Sequence, residues 1–141
     1  MKHLWFYALL ASVLLFCSLS AQAGGPPPWP QGFYGAIQKR GQPAPIGTVI
    51  EGRGDNVLIG IPKGANPITT TVVGQYGQPT LLAIQGWIED GTPIFFYADG
   101  ELCQVQNPGG PWGSAVLFES GVVSKINLRV RSKIFIPMLG R

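Results

Sequence analysis

The chain has 141 residues and a formal charge of +3, from 10 Lys or Arg against 7 Asp or Glu. That length suits one domain, and so thin a charge, with no block of five or six basic residues, excludes the concentrated basic stripe that nucleic-acid binding needs. The single histidine, His3, and one of the two cysteines, Cys17, fall near the start, so the rest of the chain holds little material for metal or nucleophilic chemistry.

Met1-Lys2-His3 is a short basic start. Leu4 to Ser20 is an apolar run without a charge, and Ala21-Gln22-Ala23 is a small-x-small exit. These are the three parts of a secretory signal peptide, with the cut expected after Ala23. A retained anchor is the rival, but the run falls slightly short of the roughly 20 apolar residues of a span. Lipid attachment at Cys17 is a third option, disfavoured by bulky Phe16 before it. The expected product is exported, either secreted or held at the cell envelope or surface, with no transmembrane span in its mature part.

Residues 24–32 form a Pro/Gly-rich leader. Gly24 to Pro30 reads GGPPPWP, and its prolines fix φ and remove amide donors, so it is extended and polyproline-like. Trp29 is placed to pack back onto the fold or to dock a neighbour.

Residues 33–133 alternate β-rich runs with Gly/Pro turns. Phe33 to Gln38 is the first expected strand, with Phe33, Gly35 and Ile37 on one face. Lys39 to Pro43 reads as a hairpin turn. Ile46 to Gly52 follows, then a short run Val57 to Ile61. Ile68 to Gly74 is rich in β-branched residues and reads as a strand. Leu81 to Gln85 comes next, and Asp90-Gly91 is a turn pair. Ile94 to Ala98 opens after Pro93, a proline acceptable at a strand's first residue. Asp99-Gly100 then predicts a tight hairpin to Glu101-Leu102-Cys103. Ala115 to Glu119 is a further run. From Val122 to Arg131, Ile126, Leu128 and Val130 alternate with charged and polar residues, the pattern of a strand with one wet face.

No window carries a helical stripe. About seven short strands predict an all-β fold, a small two-sheet sandwich of immunoglobulin-like or transthyretin-like kind, with a small open barrel as topological rival. Residues 134–141 carry the apolar tail Ile134-Phe135-Ile136-Pro137-Met138-Leu139. It is too short to span a bilayer, and reads as an edge strand or as a segment that another copy accepts.

Without His3 the mature chain loses the Ser-His-Asp and Cys-His mechanisms and histidine-based zinc sites. Cys103 alone forms no internal disulfide; it reads as a buried small hydrophobe or as an intermolecular thiol partner. The acids are Glu51, Asp55, Glu89, Asp90, Asp99, Glu101 and Glu119. Glu89-Asp90 and Asp99-x-Glu101 are the close pairs, and both sit at turns, where acids are at home in solvent. A carboxylate-dependent hydrolase would have to use them, and calcium bridging by the same loops is the other option. No catalytic, cofactor or metal site is assigned. Lys125, Arg129, Arg131 and Lys133 read as the wet face of a strand, or as a patch for an anionic polymer or lipid headgroup. Asn56, Asn66, Asn107 and Asn127 all lack the glycosylation sequon. Aromatics are the remaining recognition candidates: Trp87 and Trp112 at turns, as a sugar-stacking platform or as plugs of the sandwich ends, and Phe95-Phe96-Tyr97 with rings on both sides of a strand.

Phe33-Tyr34-Gly35, Gly41-Gln42-Pro43-Ala44-Pro45-Ile46-Gly47-Thr48-Val49-Ile50-Glu51-Gly52, Asp90 to Gly100, and Phe118-Glu119-Ser120-Gly121 before Lys125 occur in an order that resembles β-sandwich modules of archaeal and bacterial cell-surface proteins, similar to carboxypeptidase regulatory-like (transthyretin-like) domains. The resemblance covers residues 33 to about 131. It implies a non-catalytic extracellular module and carries no functional residue across. The chain departs from that pattern as a lone module without a Thr/Pro stalk or C-terminal anchor.

The expectation is a non-catalytic structural or adhesive module that pairs with envelope proteins or with itself, through sheet edges or the tail. The alternative is a carbohydrate-binding or other ligand-binding module using Trp87 and Trp112.

Overall fold

The computed structural model describes residues 25–61 and 63–132. The expected signal peptide (1–23), Lys133 and the tail 134–141 lie outside the described residues.

Two β-sheets pack face to face, built from thirteen short strands with no helix among the described residues. The fold is the expected all-β, two-sheet sandwich. The first sheet is organised around β1 (Gln31–Lys39), whose residues Phe33, Gly35 and Ile37 face inward. Three short antiparallel strands follow one another along one flank of β1: β2 (Gln42–Pro43) by its C-terminal end, β5 (Gln75–Tyr76) in the middle and β6 (Leu82–Ile84) by its N-terminal end. The other flank is parallel. There β12 (Val123–Lys125) and β13 (Asn127–Val130) pair with β1 in one constant offset of 91 residues, from Gly32↔Val123 to Lys39↔Val130. β9 (Gln104–Gln106) pairs with β13, and β10 (Trp112–Gly113) forms the edge beyond it.

The second sheet has the order β11 (Val116–Leu117), β7 (Pro93–Ala98), β3 (Val49–Arg53), β4 (Ile68–Thr69), with β8 (Glu101–Leu102) also on β7. Inward-facing Ile50, Ile94, Phe96 and Ala98 meet Phe33, Ile37, Leu82, Ile84, Leu128 and Val130 of the first sheet. Phe33 and Phe96 make an edge-to-face contact across the sandwich, centroids 5.1 Å apart and planes at 81°. That geometry sets the positive edge of one ring on the negative face of the other.

The turns carry the register. Arg40 (φ 51) and Gly41 (φ 77) form the two-residue loop of the β1–β2 hairpin, and Asp99 (φ 48) with Gly100 (φ 79) that of β7–β8. Two successive positive φ values match the right-handed twist of the flanking strands.

Some expected strands are shorter or absent. The run Ile68 to Gly74 keeps only Ile68–Thr69 in the ladder; beyond Thr70 the chain crosses to β1, where the Gly74 carbonyl accepts from the Ile37 amide, and Val72 and Val73 are exposed. Val57 to Ile61 makes only a bridge from Val57 to Gly86, then turns at Gly60 (φ 79). The strand Val122 to Arg131 is interrupted at Ile126 without losing its phase. β1 begins at Gln31, inside the expected leader.

Buried polar groups are satisfied locally. Asn66 accepts a hydrogen bond from the Gly52 amide (3.0 Å) and donates to the Gly52 carbonyl (2.8 Å), serving one residue of β3 as a strand neighbour would. Gln31 accepts from the Glu119 amide at 2.9 Å. Thr48 and Thr70 both donate to the Pro45 carbonyl, at 2.7 and 2.9 Å.

Candidate functional site

Among the described residues the most exposed aromatic surface lies just beyond the N-terminal end of β1. Pro26, Pro27, Pro28, Trp29 and Pro30 form one wall of a groove of about 540 Å³, and Leu58, Gln85, Gly86 and Trp87 form the other. The leader is fixed there through the Trp29 carbonyl, which accepts from the Gly121 amide (3.3 Å) and the Ser120 hydroxyl (3.2 Å). Its side chain is 78% exposed.

The opposite wall is held by the Leu58 amide, which donates to the Gln85 carbonyl at 2.9 Å, and by the Val57–Gly86 bridge. Gly86 is required at this crossing: a Cβ there would sit 2.1 Å from the Asn56 carbonyl oxygen. Trp87, 56% exposed, and Leu58, 45% exposed, face the groove. Among the described residues no ionisable side chain lines it. The groove therefore offers apolar and aromatic surface, with Gln85 its one polar aliphatic side chain. Proline-lined backbone offers no amide donors, so this wall does not add strands.

Trp112 is elsewhere. It sits on the edge strand β10, while Trp87 follows β6 on the other side of β1. The half-buried Trp112 ring lies under the Arg129 guanidinium, 4.0 Å from its centroid, and Arg129 is held in turn by Gln104 at 2.9 Å. The expected Trp87–Trp112 platform is not formed. Trp29 takes the second aromatic position, and Leu58 and the prolines join it. A tryptophan inside a proline run is the sequence signal that pointed to this wall; nothing local marked Leu58.

The acids stand in other roles. Asp99 accepts from Lys39 (2.7 Å) and from the Val49 amide (2.9 Å), and Arg40 pairs with Glu101 at 3.2 Å, so the two hairpin loops are linked by two ion pairs. Lys39 and the Val49 amide hold the Asp99 carboxyl below its ordinary range. Glu51 pairs with Arg53, whose guanidinium lies 4.1 Å from the Tyr97 ring centroid. Asp90 accepts from the Ser120 amide at 2.9 Å. Glu101 and Glu119 each line a separate shallow groove as its one carboxylate. Among the described residues no group of three or more His, Cys, Asp or Glu is gathered to hold a metal ion.

Cys103 is buried between the sheets, its thiol aimed at the Glu101 carbonyl 3.8 Å away. Burial pushes its pKa up to about 12, the opposite of what an exchange-active thiol needs. Phe96 is core, whereas Phe95 and Tyr97 lie half-buried on the outer face. Lys125 and Arg131 are exposed.

Comparison with protein-family models, curated proteins and solved structures gives no match to this chain.

Proposed function

We propose that the chain is an exported, non-catalytic structural or adhesive module of the cell surface or envelope, in the manner of carboxypeptidase regulatory-like sandwiches. The observation that carries this reading is the uncharged groove between Pro26–Pro30 and Leu58/Trp87, an exposed apolar surface built on a hydrogen-bonded frame. Exposed apolar patches rimmed by polar surface mark interaction sites. The N-terminal signal pattern supports export. The ion-paired and turn-capping acids support a structural role for the charged residues.

The test is where the cell puts the protein and in what form. The full chain is expressed with a C-terminal tag, cells are fractionated, and the N-terminus of the recovered protein is sequenced. The reading expects a chain starting at Gly24 in the medium or envelope fraction. An intact Met1 terminus on a cytoplasmic protein overturns it.

A second reading has its own observation. Two exposed indoles flank one groove, and indole faces stack on sugar rings, so a neutral glycan fits the Trp29–Trp87 surface better than the Trp87–Trp112 pair first expected. Quenching or a shift of tryptophan fluorescence on titration with neutral oligosaccharides, lost in Trp87→Ala, tests it.

A further inference from the structure

The groove and the end of β13, the last described strand, lie at opposite poles of the sandwich. β13 ends at Val130, which is level with Lys39 at the C-terminal end of β1. The groove lies past Gln31 at the other end: Trp29 precedes β1, and Trp87 follows Ile84, the partner of Gln31. At about 3.3 Å per residue, the nine residues of β1 separate the two poles by about 26 Å.

Beyond Val130 the ladder on the β1 side stops. The Arg40 amide donates to the Val130 carbonyl at 2.9 Å, and at Arg40-Gly41 the chain turns away. Four residues later the sequence enters Ile134-Phe135-Ile136-Pro137-Met138-Leu139, an uncharged apolar block flanked by Lys133 and Arg141. A fully extended chain advances about 3.4 Å per residue, so Ile134 lies within about 14 Å of Val130 and Ile136 within about 20 Å. The centre of the block therefore falls short of its own molecule's groove.

We propose that Ile134–Leu139 of one copy seats in the Trp29–Trp87 groove of a second copy, joining molecules head to tail. The inference rests on the structural-module reading and names its partner. An apolar block with no charge meets a groove with no ionisable side chain, and each copy carries both halves. The contact is heterologous, using different surfaces on the two molecules, so its repetition builds an open chain or closes a ring.

The experiment uses purified residues 24–141 and three variants. Trp87→Asp spoils the groove at an exposed position, and Ile136→Asp spoils the tail. Sedimentation velocity over a range of concentrations should show self-association of the wild type. Each single variant should weaken it roughly tenfold or more. The two variants mixed should form a one-to-one pair that grows no further, because one retains the tail and the other the groove. As a folding-independent check, the double variant Trp87→Cys/Ile136→Cys should cross-link between copies on oxidation. A wild type that stays monomeric to about 1 mM overturns the proposal, as do variants that associate like the wild type, or a mixture that fails to pair. So does a neutral oligosaccharide or proline-rich peptide that protects Trp87 while Ile136→Asp associates normally. A monomer recovered from the envelope fraction would remove the head-to-tail contact and leave the module reading standing.

Discussion

Tyr76 donates its phenolic hydrogen to the backbone carbonyl of Ile126, 2.7 Å away, in the buried interior. In a parallel ladder that carbonyl would accept from the Ala36 amide. Instead the Asn127 side-chain oxygen takes the Ala36 amide at 3.3 Å, and the freed Ile126 carbonyl is received by the phenol. Two side chains thus close the gap between β12 and β13 with no buried side-chain polar atom left unpaired among the described residues. Tyr76→Phe should lower stability by about 1–2 kcal/mol, since a buried carbonyl loses its partner at nearly constant packing. The urea midpoint should fall with an unchanged slope.

Gly35 is the other half of that junction. A Cβ on it would lie 2.2 Å from the Ile126 oxygen, a backbone atom held in place by the surrounding ladder. At Gly52 a Cβ would also meet an atom at 2.2 Å, but that atom is the end of the Ile84 side chain. Gly35→Ala should therefore cost about 3 kcal/mol or more and Gly52→Ala about 1–3 kcal/mol. Equal losses in denaturant titrations would contradict this ordering.

Lys39→Met should raise the Asp99 carboxyl toward its ordinary range, because Lys39 is the first cause of its lowering and the Val49 amide the second. A carboxyl lowered in the folded state stabilises above its unfolded pKa and loses that contribution as pH falls through the folded pKa. The gap in stability between wild type and variant should be present at pH 7 and close in acid. The Asp99 side chain is 40% exposed, so screening limits the gap to no more than about 1 kcal/mol. Carboxyl NMR titration of both proteins checks the shift directly.

Cys103 should be inert to thiol reagents at pH 8 in the folded protein and reactive once it unfolds. Burial raises its pKa from 9.0 to about 12, and burial also raises that of Tyr76. A group raised in the folded state contributes fully below its unfolded pKa and is lost as pH rises through the folded one. Stability should thus decline between about pH 9 and pH 12, and Cys103→Ala should decline less over that window.

The hairpins and the faces were legible in the sequence because both are local. Asp99-Gly100 and Arg40-Gly41 supply positive φ where a two-residue loop needs it, and Ile126, Leu128 and Val130 alternate as one buried face must. What could not be read was set at a distance. Ile68 to Gly74 has the composition of a strand, but it leaves β3 after Thr70, and Gly74 bonds to Ala44 and Ile37 instead. Trp87 and Trp112 look alike locally, yet the sheet order puts them on different sides of β1. Trp29 met Trp87 only because the Ser120-Gly121 turn, 91 residues on, anchors its carbonyl.

That long offset has a consequence in time. β1 is the first strand of the sandwich, and the flank completed by β12 and β13 stays open until almost the whole domain has been delivered. Closing so long a loop must precede the reward of pairing, and topologies dominated by such distant contacts fold slowly. During synthesis the founding strand stays half-paired until the C-terminal strands arrive. The same clasp that makes the finished sandwich continuous therefore also sets when it closes.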